Sequence, residues 1–213
     1  MIALDHFSTL QFEMLFSQAC LMAKMLGLHK PIQLQDDAAE TTAEQRDVFW
    51  SLYVIDKQMC LLRGTTPHLH SFDCDLPLPG ANPEYPPNPR FLAAIEMAHL
   101  QEKIYYSFLS IGASQNSEAA RQRSCDVLSA DLTTWASTRQ HFLSASAAVP
   151  IRESILALEL KFSLLACKIL INREDGRVES RSQRLVDSRE SLAIVKALAE
   201  KRSNIDAYIA LRR

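Results

Sequence analysis

Glycine is scarce and widely spaced in this sequence. The 213 residues include only five glycines, and no two of them lie closer than Gly64 and Gly80, whereas average usage of about 7% would give about 15. Phosphate-binding loops such as G-x-G-x-x-G need clustered glycines so that the backbone can approach the ligand, and small-stranded β-sandwiches need many turns with positive φ. Glycine-rich phosphate-binding loops are absent, and a small-stranded β-sandwich is disfavoured. The sequence therefore predicts an all-α fold, an irregular multi-helix bundle.

Apolar residues recur at the three- and four-residue spacing of helices in six segments. Thr41 and Thr42 begin two overlapping S/T-x-x-E/Q caps, which predict the start of the second helix, and Pro150 is predicted to start the fifth. The predicted helices cover residues 7–28, 41–63, 91–112, 127–135, 150–173 and 185–209. Four glycines are predicted to end helices: Gly27, Gly64, Gly112 and Gly176.

Proline is concentrated behind the second helix, where seven of the nine prolines fall between Pro67 and Pro89. Each proline ring removes a backbone donor and restricts the residue before it, so a regular helix cannot continue here. The segment from residue 65 to residue 89 is therefore predicted to be an extended but ordered loop.

The second helix carries side chains that have two interpretations each. In one interpretation, Asp56 holds the proline-rich loop through hydrogen bonds or an ion pair. In the other, it lies on an exposed helix flank. Arg46 lies ten residues before Asp56, on a different face, so the two cannot pair along one helix. The aromatic pair Phe49 and Trp50 packs in the core, or it lines a ligand pocket.

Charge and cysteine usage narrow the class of protein. Lysine and arginine number 23 against 25 aspartate and glutamate residues, without the basic excess of a dedicated nucleic-acid or membrane-surface binder. The five cysteines are at least 14 residues apart, which is typical of reduced thiols rather than of a disulfide framework. No export leader is recognisable, and no apolar run approaches about 18 residues. We expect no membrane partner.

Basic residues group in two segments that are predicted to link helices. One holds Arg121 and Arg123, and the other holds Arg177, Arg181, Arg184 and Arg189. Neither contains the interleaved aromatic residues on which nucleic-acid bases stack. We interpret them as solvated helix ends and expect no direct nucleic-acid contact by this chain.

The strongest metal candidate is the segment from residue 68 to residue 75, because His68, His70, Asp73 and Cys74 are ligand types and His-x-His places two imidazoles on one side of a strand. A zinc site usually needs a second pair of ligands, but neither C-x-x-C nor H-E-x-x-H occurs. The alternative is a solvated loop in which Asp73 and Asp75 cap turns. We predict no metal, no cofactor and no catalytic residue.

Three groups of residues match one known pattern. The second helix reads R-x-x-F-W-x-L-Y-x-x-D-K, a turn follows, and the loop continues as D-x-D-L-P-L-P. Residues 19–29 and 158–173 are similar to two further helices of that pattern. The chain thereby resembles the fungal-specific transcription factor domain, the middle homology region of fungal zinc-cluster regulators. The matching residues are Arg46, Phe49, Trp50, Tyr53, Asp56, Lys57, Gly64, Pro67, Asp73, Asp75 and Pro77.

The sequence departs from that pattern at several places. Thr65 and Thr66 replace the arginine of the usual G-R-P-like turn, and Glu174 stands where the last helix usually has proline. The zinc cluster that contacts DNA in such regulators needs six closely spaced cysteines, whereas the five here are scattered. We therefore expect a fragment, a truncated gene model, or a relative that regulates without binding DNA itself.

The resemblance implies a helical regulatory domain that acts in the nucleus through intramolecular, partner or small-molecule contacts. Its partners would be proteins of the transcription machinery or a full-length regulator. We expect residues 1–175 to form part of this domain, and residues 176–213 to form a polar link and a C-terminal helix. The alternative is a helical interaction module or inhibitor that associates with a full-length regulator, and a metal-dependent enzyme is less favoured.

Overall fold

The computed structural model describes residues 9–31, 39–79, 88–144 and 150–210. These residues contain six α-helices and no strand, which confirms the all-α prediction. Residues 80–87 of the predicted proline-rich loop lie outside the described residues. The helices are α1 (Thr9–Met25), α2 (Ala39–Arg63), α3 (Pro89–Ile104), α4 (Glu118–Thr138), α5 (Ile151–Glu174) and α6 (Val178–Ala210).

Glycine ends the first two helices as predicted. Gly27 and Gly64 have φ of 72° and 68°, the left-handed conformation that glycine adopts without a steric penalty. The Leu28 N–H bonds the Ala23 carbonyl at 2.9 Å, which closes the end of α1. Gly176 follows the end of α5, as expected, within the short link to α6.

Several predicted helix boundaries are wrong, and two of them concern the second and third helices. The second helix begins at Ala39 rather than at Thr41 or Thr42. Gly112 does not end the third helix, because a π-turn over Tyr105–Leu109 follows α3 and Ser110 then adopts an extended conformation. The Ser110 hydroxyl accepts a bond from the Ala113 N–H at 3.2 Å and so caps the next short turn, which contains Gly112.

The chain divides into two compact units, residues 1–102 and residues 103–213. In the first unit, α1, α2, α3 and the loop share one apolar core, formed by Phe16, Cys20, Phe49, Trp50, Tyr53, Leu69, Ile95 and Ala98. Phe49 and Trp50 are 1% and 3% exposed, so the core-packing interpretation of this pair is confirmed. The rings of Trp50 and Tyr53 lie edge to face with centroids 5.3 Å apart, an arrangement that aromatic pairs favour.

The second unit contains α4, α5 and α6. Helix α5 packs against both α4 and α6, as its wide apolar arc predicts. The short α5–α6 link is held by the buried carboxylate of Asp175, which accepts bonds from Arg177 and from the Ser180 hydroxyl at 2.7 Å. The bond from Arg177 is the main reason that the pKa of Asp175 lies well below its usual range. The predicted division of the chain at residue 175 stays a prediction.

The two groups of basic residues that the sequence places in links lie within helices, with one exception. Arg121 and Arg123 lie in the first turns of α4, because Ser117 caps that helix earlier than the apolar pattern indicates. Arg181, Arg184 and Arg189 likewise lie within α6, and only Arg177 is in a link. Within the described residues, no helix combines the length and the apolar character that a membrane span requires.

Candidate functional site

Asp56 holds the loop against α2. Its side chain is fully buried, and its carboxylate accepts bonds from the backbone N–H groups of His68, at 3.0 Å, and Leu69, at 3.1 Å. These bonds join residues twelve and thirteen positions apart. The interpretation in which Asp56 fixes the loop is therefore confirmed, and the exposed-flank alternative is wrong.

Lys57 supplies the cation of the same buried site. Its ammonium group donates to Asp56 at 2.9 Å and also to the Leu69 carbonyl. It lies 4.4 Å from the centre of the Tyr53 ring, within the range of a cation–π contact. Because Lys57 is 1% exposed, every one of these partners replaces water that the ammonium group would otherwise bind.

Glu102, from α3, completes the site. Its carboxylate lies 3.4 Å from the Lys57 ammonium, accepts a bond from the Tyr53 hydroxyl at 2.8 Å, and accepts another from the Ser71 N–H at 3.2 Å. We call Tyr53, Asp56, Lys57 and Glu102 the loop clamp. Two carboxylates and one ammonium leave a net negative charge, and the N–H groups of the loop stabilise it.

The loop clamp shifts the protonation equilibria of its members and of a neighbouring histidine. Burial opposes ionisation of Glu102, but the hydrogen bonds from Ser71 and the charge of Lys57 outweigh burial and lower its pKa. Burial, followed by the charge of Glu102, raises the pKa of Tyr53 well above its usual range, so Tyr53 stays a donor. Burial and the Lys57 charge lower the pKa of His70, although Glu102 opposes them.

Other side chains hold the loop at its two ends. The Trp50 indole N–H donates to the Pro77 carbonyl at 3.2 Å, and the Lys24 ammonium of α1 donates to the His68 carbonyl at 2.8 Å. The loop is therefore fixed to α1, α2 and α3 by polar contacts as well as by its buried Leu69 side chain.

The remaining motif residues lie outside the loop clamp. Gly64 ends α2, Pro67 is buried at the start of the loop, and Asp73 and Asp75 are exposed farther along it. Arg46 is buried near the start of α2, and its Nε lies 3.7 Å from the Asp47 carboxylate. Of these residues, Pro67, Asp73 and Asp75 lie in the loop, whereas Arg46 lies in α2 and Gly64 ends it.

The four metal candidates do not form a ligand set. His68 Nε2 lies 3.1 Å from the Ser17 hydroxyl, and the His70 ring stacks on Phe72 with centroids 4.9 Å apart. Asp73 is exposed and Cys74 is half-buried. Among the residues that the structure describes, no three histidine, cysteine, aspartate or glutamate side chains are placed to hold one ion.

Comparison with known families assigns the chain. Residues 4–137, more than half of the sequence, match the family described as the fungal specific transcription factor domain. The chain belongs to this family. The match includes α2, the loop and α3, and thus every residue of the loop clamp.

Two curated relatives of this fungal transcription factor domain align over nearly the whole chain. Transcription factor oryO of Aspergillus oryzae is 27% identical over 205 residues, which cover 93% of this chain and 25% of the relative. An uncharacterized transcriptional regulatory protein of Schizosaccharomyces pombe is 25% identical over 219 residues, covering 93% of this chain and 33% of the relative. The chain therefore spans about a quarter to a third of their lengths. No solved structure matches it significantly.

The motif of this transcription factor domain contains three of the four loop-clamp residues, Tyr53, Asp56 and Lys57, but not Glu102. The segment Gln101-Glu102-Lys103 looks like a solvated helix turn, yet Gln101 and Glu102 are both 3% exposed. Glu102 acts on partners 31 to 49 residues away. A second carboxylate that pairs with Lys57 is the only signal that could indicate Glu102. No spacing in the sequence identifies which carboxylate this is.

Proposed function

We propose that this chain is a regulatory domain of a fungal transcription regulator. It acts in the nucleus through intramolecular, partner or small-molecule contacts and does not itself contact DNA. Family membership supports this proposal, as do the two relatives, whose names describe a transcription factor and a transcriptional regulatory protein. The family is a transcription-regulator domain rather than a known enzyme family.

The loop clamp is the observation that carries the proposal. A buried ion pair often stabilises a protein no more than apolar side chains of the same size, because its charges must leave water. In the loop clamp, three charges leave water. Their value lies in fixing one arrangement, since every polar partner must be in place at once. A loop held by such a set has a defined docked position, and a partner that binds the undocked loop better would shift the balance. We infer that docking of the loop is the step that regulation acts on.

A tethered reporter tests this role. The chain is placed between a heterologous DNA-binding module and an activation domain in a fungal reporter strain, where the docked loop is expected to restrain activation. Glu102→Gln weakens the loop clamp with little change of shape and should raise reporter output about fivefold or more at equal protein level, the range of ordinary coupling free energies. Glu190→Gln, which breaks an exposed ion pair with Lys161, is the matched control. Equal output from the two variants would contradict the proposal.

The absence of DNA contact is tested separately by gel shift. The purified chain is expected to retain no DNA fragment from a random-sequence pool at physiological salt. Selection of a specific sequence from that pool would overturn this part of the proposal.

A second function, that of a helical interaction module or inhibitor of a full-length regulator, is favoured by exposed apolar side chains on α6. Leu185 and Leu192, seven residues apart and thus on one face, are 61% and 70% exposed, and Val195 beside them is 48% exposed. Size-exclusion chromatography with light scattering tests it. Self-association at micromolar concentration supports this function, and a strict monomer that also fails to bind the full-length regulator contradicts it.

A further inference from the structure

A cavity of about 220 Å³ opens within the first compact unit, between α1, the end of α2 and the start of the loop. Its apolar wall includes Phe16, Met59 and Cys60. The cavity is smaller than the roughly 300–1,000 Å³ of sites for drug-sized ligands. Its size suits a compact metabolite.

Besides Asp56, which is paired with Lys57, two opposite charges lie in the cavity lining. Glu13 of α1 and Arg63 of α2 form an ion pair there, with side chains 34% and 30% exposed. A ligand carboxylate can take the two parallel N–H groups of the Arg63 guanidinium. A simple anion would then leave Glu13 without a partner, and a simple amine would leave Arg63 without one, whereas a zwitterion keeps both charges paired.

The other lining groups suit the rest of such a ligand. Ser17 and His68, whose side chains lie 3.1 Å apart, offer a hydroxyl and an imidazole to the polar end. Phe16 and Met59 offer an apolar surface to a side chain of moderate size. Burial, followed by the charge of Asp56, raises the pKa of Cys60 to about 12, so this thiol stays neutral and the site is one of non-covalent binding.

We propose that this cavity binds a small zwitterion of the α-amino acid class. The ligand carboxylate lies on Arg63, its ammonium group lies on Glu13, and its apolar side chain lies between Phe16 and Met59. Asp56 also lines the cavity, so an occupant contacts the residue that holds the loop. The inference names the ligand class for the small-molecule contact of the proposed function. Binding itself is a property of the purified chain and needs no transcription readout.

Calorimetry with the purified full chain tests the ligand class. The probes are L-valine, L-leucine, L-isoleucine and L-methionine, together with 4-methylpentanoate and 3-methylbutylamine, which share the leucine side chain but lack the ammonium or the carboxylate. At least one amino acid is expected to bind saturably and at least tenfold more tightly than either analogue. The proposal is overturned if no amino acid binds, or if an analogue binds as tightly as the amino acid that binds best.

Three variants test the site itself. Arg63→Gln and Glu13→Gln should each weaken binding at least tenfold, and Met59→Trp should abolish it by filling the cavity. The matched control is Glu190→Gln, because its ion pair with Lys161 has side chains of similar exposure, 41% and 36%, in the second unit. Circular dichroism confirms that each variant is folded. Unchanged binding by Arg63→Gln would overturn the site even if Met59→Trp does not fold. Loss of reporter regulation with intact amino acid binding would reject the proposed function alone.

Discussion

Burying Asp56, Lys57 and Glu102 together removes three charges from water, which is costly unless each finds partners. The loop provides them through the N–H groups of His68, Leu69 and Ser71 and the carbonyl of Leu69. The role of Asp56 could be predicted from sequence because it lies in the last part of α2, seven residues before the end of the helix that leads into the loop. The role of Glu102 could not, because α3 brings it to Tyr53, Lys57 and Ser71 only when the chain has folded.

Removing one member of the loop clamp should cost more than its own hydrogen bonds. Asp56→Ala leaves the Lys57 ammonium buried with a single carboxylate partner and leaves two loop N–H groups unpaired. We expect the free energy of unfolding to fall by about 3–5 kcal/mol, measured by urea denaturation. Asp73→Ala, at an exposed position on the same loop, should change it by no more than about 0.5 kcal/mol. Equal losses in the two variants would show that Asp56 is not in a buried network.

Acidification should weaken the docked loop through His70 and Glu102. A histidine whose folded pKa lies below its unfolded value of 6.5 binds its proton more readily when unfolded, so stability falls as the pH drops below 6.5. Glu102 has a lowered pKa, so its contribution is present above 4.5 and is lost as the pH falls through the folded value. Thermal unfolding from pH 8 to about pH 3 should therefore show a plateau above about pH 7 and a progressive decline below it.

Two variants assign the parts of that pH dependence. His70→Asn should remove the part of the decline that begins just below pH 6.5, and Glu102→Gln should remove the part below pH 4.5. Parallel pH curves for both variants and the natural chain would show that neither group is coupled to folding.

At the scale of elements, the helix positions were predictable and several of their ends were not. Apolar spacing located the six helices, and Gly27 and Gly64 located the ends of α1 and α2. The sequence predicts links where the first turns of α4 and α6 lie, because these turns are polar and arginine-rich and carry no apolar pattern. Ser117 shows that a single capping hydroxyl can start a helix well before its apolar stripe.

The junction between α2 and the loop depends on the conformation of one glycine. Gly64→Ala introduces a Cβ at φ of +68°, where no other atom lies within 4 Å, so only backbone strain opposes it. We expect a loss of about 1–2 kcal/mol in the free energy of unfolding. Gly176→Ala, in the α5–α6 link, also has open space around it and needs no positive φ, so stability should be unchanged or raised by up to about 1 kcal/mol. Similar effects of the two changes in urea denaturation would contradict this account.

At the scale of the whole molecule, the two compact units differ in what holds them together. The first joins helices to a loop through buried charges, whereas the second joins α5 and α6 through a short link that is held by Asp175. Low glycine content and helical spacing predict an all-α chain, so the fold class follows from the local sequence. The division at residue 102 depends on contacts distant in sequence, which local patterns do not record.

Amide hydrogen exchange tests the central claim, that the loop clamp holds the loop, most directly. In the natural chain, the amides of His68, Leu69 and Ser71 should exchange at least about a hundredfold more slowly than in an unfolded chain, because opening requires breaking buried bonds. Asp56→Asn should accelerate His68 and Leu69, and Glu102→Gln should accelerate Ser71, while amides of α5 and α6 in the second unit keep their protection. Unprotected loop amides in the natural chain, or protection that both variants leave unchanged, would contradict the account.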